Sequence, residues 1–180
     1  MKAHIFTEGS NTTAGDLDVP AKEYYGGLFS TIFSLNAELE EFTETQFHIL
    51  SEEYGVVDGD DHLSTIHESY QLPVGETEME STAQTELRCA AATADVMIIL
   101  LSTDVFQATV TQLWDELVDE AKPESIWCLG AARSALDDID VTGLQVKGCS
   151  VLTYQRVGVA RIGKETRTEL LETVKQNTDQ

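Results

Sequence analysis

The chain has 180 residues, of which 32 are acidic and 11 basic, and its formal net charge at pH 7 is −21. So large a negative charge repels phosphate backbones and argues against duplex nucleic acid as a partner. The self-repulsion is largely screened at molar salt, where the Debye length falls to about 3 Å, so the composition indicates a halophilic protein in a salt-filled cytoplasm. Most carboxylates are then expected to form a solvated surface.

The sequence shows no sign of a membrane segment or of a second domain. No apolar run approaches the roughly 18 residues of a membrane span, and the first residues lack the apolar stretch of a signal peptide, so we expect a cytoplasmic protein without a membrane partner. The length suits a single domain over residues 1–180. Cys89, Cys128 and Cys149 lie far apart without a CxxC or Cys/His pairing, and we interpret them as buried, reduced thiols.

Short β-like runs alternate with helical patterns along the chain. Strands are predicted over Lys2–Phe6, Gln46–Leu50, Asp95–Leu101, Ser125–Leu129 and Ser150–Tyr154. Helices are predicted over Tyr24–Phe42, Thr85–Thr93, Asp104–Ala121, Ala131–Leu136 and Gly163–Lys175, the third of them starting at a capping box of Asp104 and Gln107. A polar, Gly-containing stretch to about Ser81 separates the second strand from the second helix.

This alternation predicts an α/β fold: a three-layer domain with a mainly parallel central sheet and helices on both faces. Asp95–Leu101 is the most apolar strand candidate and is expected at the centre of the sheet, buried on both faces. In such sheets ligands bind beyond the carboxyl ends of the strands, so the residues that follow each strand are the candidates for a site.

Two of these places combine a small residue with a polar one. Gly9 and Ser10 follow the first strand, and Gly130 precedes a predicted helix that also carries Arg133. The glycines would let a ligand approach backbone N–H groups, and a helix amino terminus favours anions. The alternative is that each glycine serves a turn with positive φ. Neither place has a GxGxxG or GxxxxGK[ST] pattern, and the sequence indicates no particular cofactor.

The segment after the second strand contains a recognisable pattern. The run Phe47-His-Ile-Leu-Ser-Glu-Glu-Tyr-Gly-Val-Val-Asp, followed by Ile66 and Tyr70-Gln-Leu, resembles the L-S-x-x-Y-G-L signature of a small-domain group related to the YaaA-type peroxide-stress proteins. Upstream, Tyr24-Tyr25-Gly-Gly-Leu-Phe resembles the Y-x-G-x-L-F of the same group. The resemblance implies an α/β sheet domain linked to nucleic-acid or modified-base metabolism, with Ser51, Tyr54 and Gly55 at the mouth of the site.

The residues themselves allow two interpretations of this segment. A serine that ends a buried strand can direct its hydroxyl towards a ligand, and the ring of Tyr54 offers a face for stacking a base, which contributes about 1–3 kcal/mol in nucleic-acid complexes. Alternatively, Ser51 caps a turn, Tyr54 packs on the core and Gly55 forms the turn.

Metal chemistry has one candidate segment, the loop with Asp58, Asp60, Asp61, His62, His67 and Glu68. Its spacing matches neither an EF-hand nor HExxH, and acid-rich loops are expected throughout a halophilic chain, so we predict no metal site. A nucleophilic catalyst is not indicated either, because the chain has no GxSxG elbow.

The last part of the chain reverses the charge balance. From Lys147 onward six basic residues stand against four acidic ones, a net charge of +2, whereas the preceding 146 residues carry −23. Arg156 and Arg161 lie five positions apart among small residues after the last strand, where their guanidinium groups could bind a phosphate. The alternative is that both form internal salt bridges.

These observations predict a protein that binds a small anionic or nucleotide-like ligand, with a role in nucleic-acid or nucleobase metabolism; whether it is an enzyme stays open. The alternative is a non-catalytic interaction or scaffold protein that forms a homo-oligomer. The positions of Arg133, Arg156 and Arg161 distinguish the two. Convergence with Ser51 and Tyr54 in one cleft favours a ligand site, and dispersal over a flat apolar surface favours assembly.

Overall fold

A six-stranded sheet forms the centre of the protein. In the computed structural model, which describes residues 1–27, 29–69, 72–158 and 160–180, the strands are β1 (Lys2–Glu8), β2 (Glu44–Ser51), β3 (Gly55–Asp58), β4 (Val96–Leu100), β5 (Ile126–Ala131) and β6 (Ser150–Gln155). Their order is β3-β2-β1-β4-β5-β6. All neighbouring pairs are parallel except β2 and β3, which form an antiparallel hairpin.

Helices cover both faces of this sheet. Their bounds are α1 (Ala21–Tyr24), α2 (Phe29–Glu40), α3 (Leu63–Ser69), α4 (Glu76–Thr93), α5 (Thr103–Thr109), α6 (Trp114–Glu120), α7 (Arg133–Asp137), α8 (Thr142–Val146) and α9 (Lys164–Thr178). One apolar core lies between the sheet and helices α2 and α9, and the other lies under α4 to α8. The predicted three-layer α/β fold is confirmed. Within the described residues, none of the helices has both the length and the apolar character that a membrane crossing requires.

The central strands follow from their composition. Every residue of β4 is buried, and the strand pairs with β1 on one side and β5 on the other, as expected from its unbroken apolar run. Successive residues alternate between the two cores: Ile98 packs towards α2 and α9, whereas Ile99 packs towards α4 and α5. A charge at either face of this strand would therefore be buried.

Several predicted boundaries are wrong, and local chemistry explains the main ones. The helix expected over Tyr24–Phe42 is divided into α1 and α2 by a segment in which Gly27 has φ +62°. The helix expected over Asp104–Ala121 is two helices joined by a 3₁₀ turn at Thr111–Leu113, and its N-cap residue is Ser102. Helix α4 begins nine residues before the predicted start, at Glu76. Strand β3 and helices α3 and α8 lie in stretches without a clear apolar period.

The cysteines differ from one another in their environment. Cys128 is buried in β5, and burial raises its pKa to about 12. Cys149 is also buried, whereas Cys89 is exposed on α4, so the prediction of three buried thiols is wrong for Cys89. A helix surface accepts a cysteine as readily as its core face, and the apolar neighbours of Cys89 in sequence belong to the opposite face of the same helix.

The topology defines where a ligand would bind. The parallel strands alone have the spatial order β2-β1-β4-β5-β6, one of the two common orders of doubly wound sheets. The connection from β1 leads to β2 on one side, and the connection from β4 leads to β5 on the other. In such folds the crevice beyond the carboxyl ends of the two diverging strands is the usual binding site.

Candidate functional site

A cleft of about 860 Å³ opens at the carboxyl ends of β1 and β2, next to this switch point. Its walls include the end of β1 with the residues after it (Glu8 to Thr13), the aromatic segment Tyr24 to Gly27, the end of β2 with its turn (Leu50 to Tyr54) and the two arginines that follow β6. The volume lies within the range of about 300–1,000 Å³ that is typical of ligand pockets. Six of the nine predicted site residues line it: Gly9, Ser10, Ser51, Tyr54, Arg156 and Arg161.

Gly9 and Ser10 shape the floor of the cleft through their backbone. A Cβ on Gly9 would lie 2.6 Å from the ring of Tyr25, so only glycine allows this ring to cover the end of β1. The Ser10 hydroxyl shares its one proton between the carbonyl oxygens of Thr12, at 2.8 Å, and Gly26, at 3.0 Å. The loop after β1 is thereby held against the aromatic segment.

Arg161 holds the end of β1 in place. Its guanidinium donates hydrogen bonds to the Thr7 hydroxyl at 2.6 Å, to the Glu8 carbonyl oxygen, and to the Gly9 carbonyl oxygen at 3.2 Å. It also lies over the ring of Phe29, 5.6 Å from the ring centroid. Burial lowers the pKa of Arg161, and the nearby Glu8 opposes that effect. These contacts make Arg161 a positioning residue of the cleft.

Gly130 explains how Arg161 can reach so far across the sheet. A Cβ on Gly130 would lie 2.6 Å from Leu100 Cδ2 and 2.8 Å from the Arg161 carbonyl oxygen. The segment between β6 and α9 therefore passes directly over β5, and glycine is required for this close approach rather than for a positive φ. Gly130 supports the cleft from outside and does not line it.

The Glu8 carboxylate connects the two strands at the switch point. It accepts a hydrogen bond from the Ser102 backbone N–H at 2.8 Å and another from the Ser102 hydroxyl at 2.7 Å. Both carboxylate oxygens are thus engaged at the start of α5. The sequence alone indicates no role for Glu8, because carboxylates are too frequent in this chain to be informative singly.

Arg156 differs from Arg161 although both line the same cleft. Its backbone N–H continues the sheet pairing to the Ala131 carbonyl oxygen at 2.8 Å. Its guanidinium, in contrast, has no hydrogen-bond or ion-pair partner in the part of the chain that the structure describes. The two arginines are close enough for the charge of Arg156 to lower the pKa of Arg161. A half-buried cation without a counter-charge is a ready site for an anion.

The predicted turn residues adopt their structural roles. Ser51 Oγ accepts hydrogen bonds from the backbone N–H groups of Glu53 and Tyr54, both at 3.2 Å, so it caps the turn. Tyr54 is only 7% exposed and belongs to the core, and burial together with Glu53 raises its pKa to about 12. Gly55 has φ +82° at the start of β3 and does not line the cleft.

Tyr24 is less buried than Tyr25 and Tyr54, the other two tyrosines that line the cleft, and the sequence singled it out only for the family resemblance and a helix face. Tyr24 is half-buried, and its ring meets Tyr25 edge to face with the centroids 5.1 Å apart. Tyr25 is itself buried against Phe29, with 5.3 Å between centroids. The contacts with Tyr25, and through it with Phe29, therefore hold the ring of Tyr24 in position.

Two further sequence expectations lie away from the cleft. Arg133 is exposed at the start of α7 and forms an ion pair with Asp137 at 3.5 Å. In the acidic loop, Asp60 forms an ion pair with Lys22 at 2.6 Å. No group of three or more His, Cys, Asp or Glu side chains able to hold a metal ion occurs among the residues described, which exclude the side chains of His67 and Glu68. Tyr70 and Gln71 of the family signature also lie outside the described residues.

No protein-family model matches the chain, and neither a curated protein nor a solved structure matches it. The function is therefore argued from the chemistry of the cleft.

Proposed function

We propose that the cleft binds a small nucleotide-like ligand, with its anionic group on Arg156 and its aromatic ring against Tyr24. The observation that carries this proposal is the unpaired guanidinium of Arg156 in a chain with three acids for every base. A cation that stays free of internal ion pairs in such an excess of carboxylates is available to an external anion. Charge-assisted hydrogen bonds from a guanidinium to a phosphate or carboxylate are roughly twice as strong as neutral ones.

The position of Tyr24 in the cleft supports the proposal that the ligand contains an aromatic ring. Tyr24 lines the cleft and is only half-buried, and the buried Tyr25 and Phe29 behind it limit its movement. Stacking of a base on such a ring contributes about 1–3 kcal/mol in known nucleic-acid complexes. The link to nucleic-acid or nucleobase metabolism that the family resemblance implies is compatible with this ligand and is part of the proposal.

The alternative of a scaffold that assembles through its arginines has less support. Arg156 and Arg161 converge with Ser51 and Tyr54 in one cleft, and only Arg133 lies elsewhere. The large exposed apolar side chains in the described residues are scattered over the chain at Met1, Leu72, Val146 and Val157. Light scattering at several protein concentrations in molar KCl distinguishes a homo-oligomer from a monomer.

The experiment is a binding screen with nucleobases, nucleosides and nucleotides in about 2 M KCl, read by thermal shift and then by calorimetry. Replacing Arg156 with Ala should weaken the binding of any hit by about 1.5–3 kcal/mol, and R156K should recover only part of the loss. Arg133→Ala is the matched control, since it removes an exposed arginine outside the cleft. Equal effects of R156A and R133A would refute the proposal.

A further inference from the structure

The charged side chains that line the cleft are unequally available. Three carboxylates, those of Glu8, Glu52 and Glu53, stand against the two guanidinium groups of Arg156 and Arg161. Arg161 is committed to the Thr7 hydroxyl and to two carbonyl oxygens, and Glu8 is committed to Ser102. One free cation is left among the described lining residues, together with two exposed carboxylates at the turn after β2.

This balance limits the charge that a ligand can bring. The first anionic group meets Arg156, but every further negative charge meets a cleft in which the exposed carboxylates of Glu52 and Glu53 remain. Like charges brought together in a binding site cost affinity, by up to several kcal/mol when desolvated. A divalent cation bound to the phosphates would reduce this penalty, so the test below is made without and with Mg²⁺.

On the basis of the proposed function, we infer that the ligand is a nucleoside with a single phosphate, a nucleoside monophosphate or a cyclic nucleotide, and that the cleft discriminates against nucleoside diphosphates and triphosphates. The aromatic contact at Tyr24 and the single guanidinium of Arg156 provide the two recognition points of such a molecule. Glu52 and Glu53 exclude the longer phosphate chains. The discrimination should widen as salt is lowered, because screening weakens exposed repulsion.

The test is a series of dissociation constants for the nucleoside, its 3′,5′-cyclic monophosphate, 5′-monophosphate, diphosphate and triphosphate, with each of the four common bases. The series is measured without and with Mg²⁺, at two KCl concentrations at which the protein melts cooperatively. We expect the preferred monophosphate or cyclic form to bind at least about tenfold more tightly than both the nucleoside and the triphosphate.

Glu52→Gln sharpens the test, because Glu52 is exposed and its side chain has no hydrogen-bond partner among the described residues. Removing its charge should tighten diphosphate binding by about two- to fivefold and monophosphate binding by less. Glu172→Gln, an exposed position on α9, is the control and should change neither. Affinity that rises with each phosphate, with or without Mg²⁺, overturns this inference alone. Absence of binding throughout the series overturns the proposed function as well.

Discussion

The two ends of the parallel sheet differ in whether their charged side chains have partners within the protein. Near the amino end, His4 Nδ1 lies 2.9 Å from His48 Nε2, and His48 Nδ1 lies 2.8 Å from the Glu86 carboxylate. Lys122 forms an ion pair with Asp95 at the same end. At the carboxyl end, the guanidinium of Arg156 is left without a partner in a cleft of about 860 Å³, whereas the recess near His4 has only about 300 Å³.

The difference between paired and unpaired cations indicates which of them are candidates for binding a ligand. In an acid-rich chain, a cation that is paired with a carboxylate stabilises the fold and is expected anywhere on the surface. A cation that stays unpaired in a cleft that is also lined by an aromatic residue is available to a partner from outside. The charged groups described at the amino end have internal partners, and the carboxyl end is the region where binding is proposed.

Both ends of the sheet depend on the central strand β4, so the largest expected effect is the unfolding of the protein when this strand is disrupted. Ile99 is fully buried in β4, with a helical layer on its side of the sheet. Ile99→Asp places an unpaired charge in this core, which costs several kcal/mol against a total stability of about 5–15 kcal/mol. We expect no soluble, cooperatively melting protein, as judged by expression and circular dichroism. Ile99→Val is the control and should fold, while a folded I99D would show that β4 is not the centre of the sheet.

The second prediction concerns the loss of stability at acid pH, which we attribute to the paired histidines His4 and His48. Burial, with contributions from His48 and Lys2, lowers the pKa of His4 to about 4, against an attraction from Glu86. Because the folded-state pKa is below the unfolded value of about 6.5, the unfolded chain takes up more protons between these values. Stability is then fully present above about pH 6.5 and falls as the pH drops towards 4, by about 3 kcal/mol from this group.

The variant His4→Gln tests this assignment. It keeps a polar side chain next to His48 but removes the titration, so the slope of unfolding free energy against pH between 6.5 and 4.5 should become shallower than in the wild type. The exposed His62, which lies 3.5 Å from Asp18, provides the control His62→Gln. An equal slope in wild type and H4Q would show that His4 does not contribute to acid sensitivity.

The third prediction separates the two arginines of the cleft. Arg161→Ala removes hydrogen bonds to Thr7, Glu8 and Gly9 and should cost about 2–3 kcal/mol, as the loss of charged hydrogen bonds does. Arg156→Ala removes no internal partner and should change the free energy of unfolding by no more than about 0.5 kcal/mol. Urea unfolding at constant molar KCl measures both. A destabilisation of equal size for the two variants would remove the distinction between a positioning and a binding arginine.

The sequence predicted the sheet better than it predicted the site. The alternation of strands with helices and the apolar run of β4 define the three layers, because these signals are local and periodic. The basic region drew attention to Arg156 and Arg161, which both line the cleft. Their separate roles could not be foreseen, since Arg161 reaches residues more than 150 positions away only because Gly130 allows the chain to cross β5.

Tyr24 and Tyr54 show the same limit within the cleft. The motif around Ser51 suggested Tyr54 as the stacking ring, yet Tyr54 is buried and Tyr24 is accessible. Tyr24 ends the four-residue helix α1 and Tyr54 lies in the turn between β2 and β3, and segments this short have no periodic pattern that indicates which face is exposed. Which of two nearby aromatic rings lines a cleft depends on how the loops pack, and this information is not local in sequence.

The smallest expected effect is the dependence of the melting temperature on salt. It distinguishes the two ends of the sheet because the amino end has an ion pair that salt weakens, whereas Arg156 at the carboxyl end has none. Only six carboxylates form ion pairs with Lys or Arg in the described part of the chain, so repulsion dominates and the melting temperature should rise by several degrees between dilute buffer and about 2 M KCl. Salt also screens the attraction between Lys122 and Asp95, which offsets part of this gain in the wild type.

Lys122→Ala lacks that attraction, so its melting temperature should rise more with salt than the wild-type value does. Arg156→Ala removes the same charge without breaking a pair, and its rise should stay closer to that of the wild type. Equal salt responses of K122A and R156A would contradict the distinction between a paired amino end and an unpaired carboxyl end, and a melting temperature independent of salt in all three proteins would remove the halophilic interpretation.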